Sequence, residues 1–287
     1  MLHKSTLQLL RFHFSVFLMP VYWFALTQMV HINWYKAALI FFILHVLVYP
    51  ASNGYNSYMD RDETPIGGLK KPMQPTKELF YTTVVLDVVA VTASLFISWY
   101  FEAGILLYIM ASRAYSYRGI RLKKHPIIGY LTVIVLQGAV TYWLVYHGSS
   151  EALYTNASMS GMIAASLLIG GFYPLTQIYQ HKEDKADGVE TISYKLGYRG
   201  TFLFCASVYS VAMLFLGYTF LASLMITQFF VLLIFFLPIL VYFFWWAAQV
   251  WKNEAAANFK NTMRMNLIAS TCTNLAFITV VILNHFE

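Results

Sequence analysis

Charge is what this chain has least of. Only 11% of its 287 residues are Asp, Glu, Lys or Arg, against about 25% in soluble domains, too few to clothe a water-facing surface. Cysteine is nearly absent as well. Cys205 and Cys272 each fall inside an apolar stretch, which argues against a disulfide framework or a CxxC metal site and leaves both as small packing residues. The sequence has no HExxH pair and no nucleophile elbow, so the best-known zinc-protease and serine-hydrolase signatures are missing.

In their place stand 59% hydrophobic and 18% aromatic residues. A hydrocarbon core about 30 Å thick needs roughly 20 apolar residues per helical crossing. Nine stretches qualify: 12–30, 37–55, 79–99, 103–117, 127–146, 159–179, 201–221, 226–250 and 265–284. The expected fold is therefore all-α: a polytopic membrane protein of about nine transmembrane helices around a central polar-mouthed cavity, forming one domain over residues 1–287. The first stretch is too long and aromatic for a cleaved leader and should remain as an anchor.

The basic residues test that count independently. Eighteen of the nineteen Lys and Arg residues fall on one side of the nine-span arrangement, and Lys36 alone falls on the other. Basic loops stay cytoplasmic, which places the amino terminus in the cytoplasm and the carboxyl terminus on the opposite face. This bias, with attraction to anionic membrane lipid, accounts for the net charge of +6 without invoking nucleic acid. The sequence sets no oligomeric state.

The polar residues concentrate in two segments. Residues 49–63 read YPASNGYNSYMDRDE and residues 173–187 read YPLTQIYQHKEDKAD. At a constant offset of 124, Tyr49, Pro50 and Tyr55 match Tyr173, Pro174 and Tyr179. Asn53, Asn56, Asp60 and Glu63 match Gln177, Gln180, Asp184 and Asp187. At 100° per residue, positions 49, 53, 56, 60 and 63 share about 80° of one helix face, with Asp62 on roughly the opposite side. Each face would present two amides and then two carboxylates.

Ionisable groups at membrane depth are costly and face a cavity, a partner or a bound ion. Four converging acids require cations, and oxygen-only ligands suit a hard ion such as Mg²⁺, which commonly bridges carboxylates to substrate phosphates. A diphosphate is the natural complement.

These segments and the span pattern together resemble the UbiA superfamily of intramembrane prenyltransferases over nearly the whole chain. In the family's first aspartate-rich motif this chain has Asn56, Ser57, Tyr58, Met59 and Asp60, with Thr64 at the place of a further acid. In the second it has Gln180, His181, Lys182, Glu183 and Asp184, so Gln180 replaces the leading acid. Tyr117 to Arg121 looks like the family's YxxxK, with Arg for Lys, and Lys71 with Pro72 looks like its RP. The resemblance implies a prenyl diphosphate held through Mg²⁺ by Asn56, Asp60 and Asp184; Glu63 and Asp187, one turn beyond the motif acids on the same face, would complete the ligand set. Asn53, Lys71, Arg118, Lys123, Gln177 and Gln180 would join Asn56 and Arg121 around the substrate, and Asp60, Asp184, Tyr117 and Arg121 would carry the chemistry.

The implied reaction is ionisation of the diphosphate to an allylic cation and its capture by a lipophilic acceptor, aromatic or quinone-related. Tyr49, Tyr115, Tyr117 and Tyr173 are candidates to face that cation. Asp87, alone in mid-span, is either functional or a donor to a neighbouring helix, and His181 is a candidate ligand or a solvated side chain. Gly67, Gly68, Pro72 and Pro75 mark an interhelical loop able to close over the diphosphate. Two other classes compete: a transporter, and a metal-dependent diphosphate or lipid hydrolase. A transporter's broken helices would sit near the bilayer midplane, whereas these motifs sit at span ends on one basic face.

Overall fold

A computed structural model describes residues 2–285. Among them the chain is helical throughout, with no strand beyond isolated bridges. The helical rods are α1 (Lys4–Thr27), α2 (Trp34–Asp60), α3 (Lys77–Ser94), α4 (Trp99–Ser116), α5 (Pro126–Ser149) and α6 (Met159–Thr176), followed by a short helix α7 (His181–Ala186). The long rods α8 (Ile192–Ala222), α9 (Ile226–Lys252) and α10 (Phe259–His285) complete the bundle. This is a polytopic membrane protein.

Seven of these rods are long and apolar enough to cross a membrane, and α3 and α4 are not. The difference has a local cause. Asp87 on α3 and Arg113 on α4 lower the hydropathy of both helices, yet they face each other in an ion pair. Arg113 donates from Nε to Asp87 Oδ2 at 3.0 Å and from Nη1 to Thr83 Oγ1 at 3.2 Å. Its guanidinium also lies 3.9 Å from the centroid of the Tyr55 ring. On the outer surface the same helices expose Val85, Val88, Leu107 and Met110. At about 1.5 Å per residue, 18 residues reach roughly 27 Å, so α3 and α4 complete nine rods of near-bilayer length. Asp87 is thus half of a structural pair. The fourth rod starts at Trp99, earlier than the expected 103, because Ser98 caps it by accepting from the Phe101 N–H.

The core closes where α1, α5, α8 and α10 meet. The Phe24 ring lies 5.0 Å from both Phe277 and Tyr142 and 6.2 Å from Phe220, all four buried. Such aromatic contacts contribute packing that apolar area alone does not.

Both Tyr-Pro pairs distort their helices. Proline has no N–H to close the preceding turn; in α2 the residues just before Pro50, Ile43–Val48, form a π-helical turn, and the chain then resumes as α-helix over Tyr49–Asp60. In α6 the α-helix stops at Gly170, and Tyr173–Thr176 form a single 3₁₀ turn. The second polar segment therefore does not share one continuous helix face; a turn separates Thr176 from α7.

Candidate active site

The C-terminal ends of α2, α4 and α6 meet on one side of the bundle around a cavity of about 240 Å³. From α2 come Asn53, Asn56 and Asp60, and from the second segment come Tyr173, Gln177, Gln180, Asp184 and Asp187. Two segments 124 residues apart thus line one space. Helix C-termini carry partial negative charge, and cations gather there: Lys123 lines the cavity, with Arg118 and Arg121 behind its rim.

Two of the acids, Asp60 and Asp187, are held by bases. Asp60, its side chain 6% exposed, is paired through Oδ2 with Lys123 Nζ, while Arg121 Nη2 stands 3.9 Å from Oδ1. Arg121 also pairs with the Asp187 carboxylate and donates to its backbone carbonyl at 3.0 Å. Arg118 donates to Met59 O at 2.8 Å and lies 3.4 Å from Asp187 Oδ1. The amides are anchored too. Asn56 Oδ1 accepts from Ser116 Oγ at 2.8 Å, Gln177 Nε2 donates to the Tyr173 hydroxyl at 3.0 Å, and Gln180 Nε2 donates to Pro65 O at 3.3 Å. The last bond ties the second segment to the loop at 61–76, whose Ile66 and Gly67 also line the cavity.

Several expected positions fall outside the cavity lining, Arg118 and Arg121 among them, because both guanidiniums are turned to Asp187. Glu63 is exposed and does not line the cavity, whereas Asp62 does. The reason is the end of α2: Arg61 is left-handed (φ 56°) and its N–H closes on Ser57 O, so the helical phase stops at Asp60. Lys71 is exposed, and its carbonyl accepts from Gln8 on α1. Tyr117 ends α4 in an extended conformation and is 48% exposed; Tyr108 and Tyr115 line the cavity in its stead. Tyr49 is buried against Thr141 and lies outside the cavity lining. His181 is a buried structural residue, bonded to Ser193 Oγ at 2.8 Å and stacked on Tyr198.

Sequence reasoning missed Arg11, which it read as a topological charge. Arg11 lines the cavity, 6% exposed, and donates to Gly67 O at 3.2 Å and Asn53 O at 3.3 Å. Its left-handed backbone (φ 49°) interrupts α1 and is shared by Arg61 and Arg121. Three arginines in a conformation unfavourable for non-glycine residues, all at one mouth, mark strain held by the surrounding structure.

Electrostatics set the acids apart. Asp184, on the loop side of the mouth, is pushed up to about 7 by burial above all; Lys123 pulls it down, and the charges of Asp62, Asp60 and Glu183 raise it further. Asp62 is raised to about 6, first by burial and then by Asp60.

The donor set suits a hard divalent cation. Asp60 Oδ1 and Gln177 Oε1 are buried without a hydrogen-bond partner, and the other candidates are carboxylate and amide oxygens. Among the described residues no three His, Cys, Asp or Glu side chains cluster as a cage. Mg²⁺ is usually held by one or two carboxylates and completes its shell with water and substrate phosphate.

The model of the UbiA prenyltransferase family matches residues 16–268. The chain belongs to this family. Its fold is that of solved UbiA homologues. One from Archaeoglobus fulgidus bound to DMAPP and Mg²⁺ is 17% identical with a TM-score of 0.68, covering 97% of this chain and 99% of that one. A UbiA homologue from Archaeoglobus fulgidus bound to GPP and Mg²⁺ gives 17% and 0.67 over the same shares. A structure from a study of digeranylgeranylglyceryl phosphate synthase in membranes gives 18% and 0.64, covering 97% and 98%. No curated protein matches the sequence.

Proposed function

We propose that this chain, acting as one transmembrane domain, transfers a prenyl group from a prenyl diphosphate to a lipophilic aromatic or quinone-related acceptor in an Mg²⁺-dependent reaction at the cytoplasmic face. The observation that carries this reading is the shared cavity: Asp60 and Asp184 line it from opposite segments, with Arg11 and Lys123 beside them. Acids for a metal and bases for a polyanion stand within one small volume.

Asp60 and Asp184, with Asp62 and Asp187 at the same mouth, would hold the metal, and Asn56 and Gln180 would offer amide oxygens to its shell. When bound, Mg²⁺ supplies charge neutralisation to the departing diphosphate. Lys123, now paired with Asp60, and Arg11 offer N–H donors to the same oxygens, Arg as a planar fork and Lys as a point charge. These donors act where negative charge develops as the C1–oxygen bond breaks. The rings of Tyr108, Tyr115 and Tyr173 line the cavity and present π faces to the allylic cation. Apolar walls limit water, its competing nucleophile.

Incubating the purified protein with Mg²⁺, labelled geranyl diphosphate and a panel of lipophilic acceptors tests the reading. A prenylated product supports it; free prenyl alcohol alone indicates a hydrolase, and unchanged diphosphate refutes it.

A further inference from the structure

The cavity is divided by charge. Its acids and bases stand at the mouth. Deeper in, Tyr108 lies eight residues before the end of α4 and Gln137 eleven residues past the start of α5, about 12 and 16 Å along helices that rise 1.5 Å per residue. Around them the lining is uncharged, with Ser112, Thr132, Leu136 and Thr176. Gln137 and the buried Tyr108 line this deeper part together. Toward the mouth, the Tyr115 hydroxyl meets that of Tyr173 at 2.5 Å, and Tyr173 receives the Gln177 amide, whose Oε1 is left without a donor.

Gln137 sits in a built feature. Val135–Val140 form a π-helical turn, and the Ala139 N–H donates to Ser166 Oγ on α6 at 3.0 Å. Gly138 lets the two helices close, since a Cβ there would stand 2.3 Å from Ser166 Cα. Single π turns are frequent at functional sites, and this one places a primary amide in mid-span, where polar groups are costly.

Resting on the prenyl-transfer reading above, we propose that Gln137 and Tyr108 form the head-group pocket of the acceptor, selecting a neutral, hydroxyl-bearing ring and rejecting a carboxylated one. The amide and phenol offer both donors and acceptors to hydroxyl groups. A carboxylate in the same place would be buried without a cation, at a cost neutral donors do not offset. In the transfer step the C1–oxygen electron pair leaves with the diphosphate, a ring carbon of the acceptor gives its π pair to C1, and the displaced ring proton passes to a diphosphate oxygen. No oxidant is needed.

A matched pair of acceptors tests this: hydroquinone and 2,5-dihydroxybenzoate, offered to the full-length protein in lipid nanodiscs with Mg²⁺ and saturating geranyl diphosphate. Hydroquinone should be prenylated with a kcat/KM at least tenfold higher. Gln137→Leu should raise its KM at least tenfold while the KM for geranyl diphosphate stays within twofold, and Tyr108→Phe, which removes one oxygen from a packed site, should act in the same direction. Equal or better use of the carboxylated ring, or an unchanged hydroquinone KM in both variants, overturns the assignment. Diphosphate release with neither ring prenylated also overturns it but leaves diphosphate cleavage standing, whereas no release at all refutes the prenyl-transfer reading itself.

Discussion

At the scale of single residues, Asp60, its side chain 6% exposed, and the half-buried Asp184 stand out because each lies at the mouth among other acids. Asp60→Asn and Asp184→Asn should each lower Mg²⁺-dependent turnover at least a hundredfold while leaving expression intact. The neighbouring pair separates the helix-face reading from the observed geometry. Asp62→Asn should weaken Mg²⁺ dependence several-fold, and Glu63→Gln, altering an exposed side chain, should leave it within twofold; a metal titration of turnover reads both. The pH response follows from Asp184 and Asp62, raised to about 7 and about 6. A carboxyl that holds its proton more tightly when folded favours the folded state at low pH. That advantage is lost as pH rises from about 4, the ordinary carboxylate value, through these raised values. The metal-free protein should therefore lose thermal stability between about pH 4 and 7. Added Mg²⁺ should restore it above pH 7, and binding between about pH 6 and 7, where these carboxyls still hold protons, should release them, measurable by calorimetry in buffers of different ionisation enthalpy.

At the scale of elements, the packing of α3 against α4 depends on the Asp87–Arg113 pair, which is also tied to α2 through the Tyr55 ring. Removing one partner of a largely buried pair leaves an uncompensated charge, typically at a cost of about 3–5 kcal/mol. Arg113→Met should accordingly lower the melting temperature sharply, and the double variant Asp87→Leu with Arg113→Met should recover much of it. Equal melting of the single and double variants would show that the pair does not set this packing. Opposite charges on the two helices lower each one's apolar average but face one another.

At the scale of the molecule, the site lies where three helix C-termini and the basic loops share one side, and topology follows from that. In a background lacking Cys205 and Cys272, Lys124→Cys should react with a membrane-impermeant maleimide from the cytoplasmic side only. Tyr35→Cys, at a position 92% exposed near the opposite ends of the rods, should react from the other side only. The reverse pattern would invert the proposed orientation.

The sequence by itself determined the helical class, the approximate spans and the sidedness of charge, because lipid thickness and the placement of Lys and Arg act on local composition. It also carried the two polar segments, since duplicated Tyr-Pro, amide and acid positions are visible along the chain. Only the tertiary structure decided which of those residues share the cavity. A left-handed Arg61 ends the helical phase, turning Asp62 in and leaving Glu63 out; a break after α6 replaces the second helix face by turns that still deliver Gln177, Gln180 and Asp184. Arg11 and Gln137 reach the cavity from α1 and α5, helices with no acidic motif of their own. Periodicity describes one helix at a time, and what faces a cavity depends on where several helices end and bend against one another.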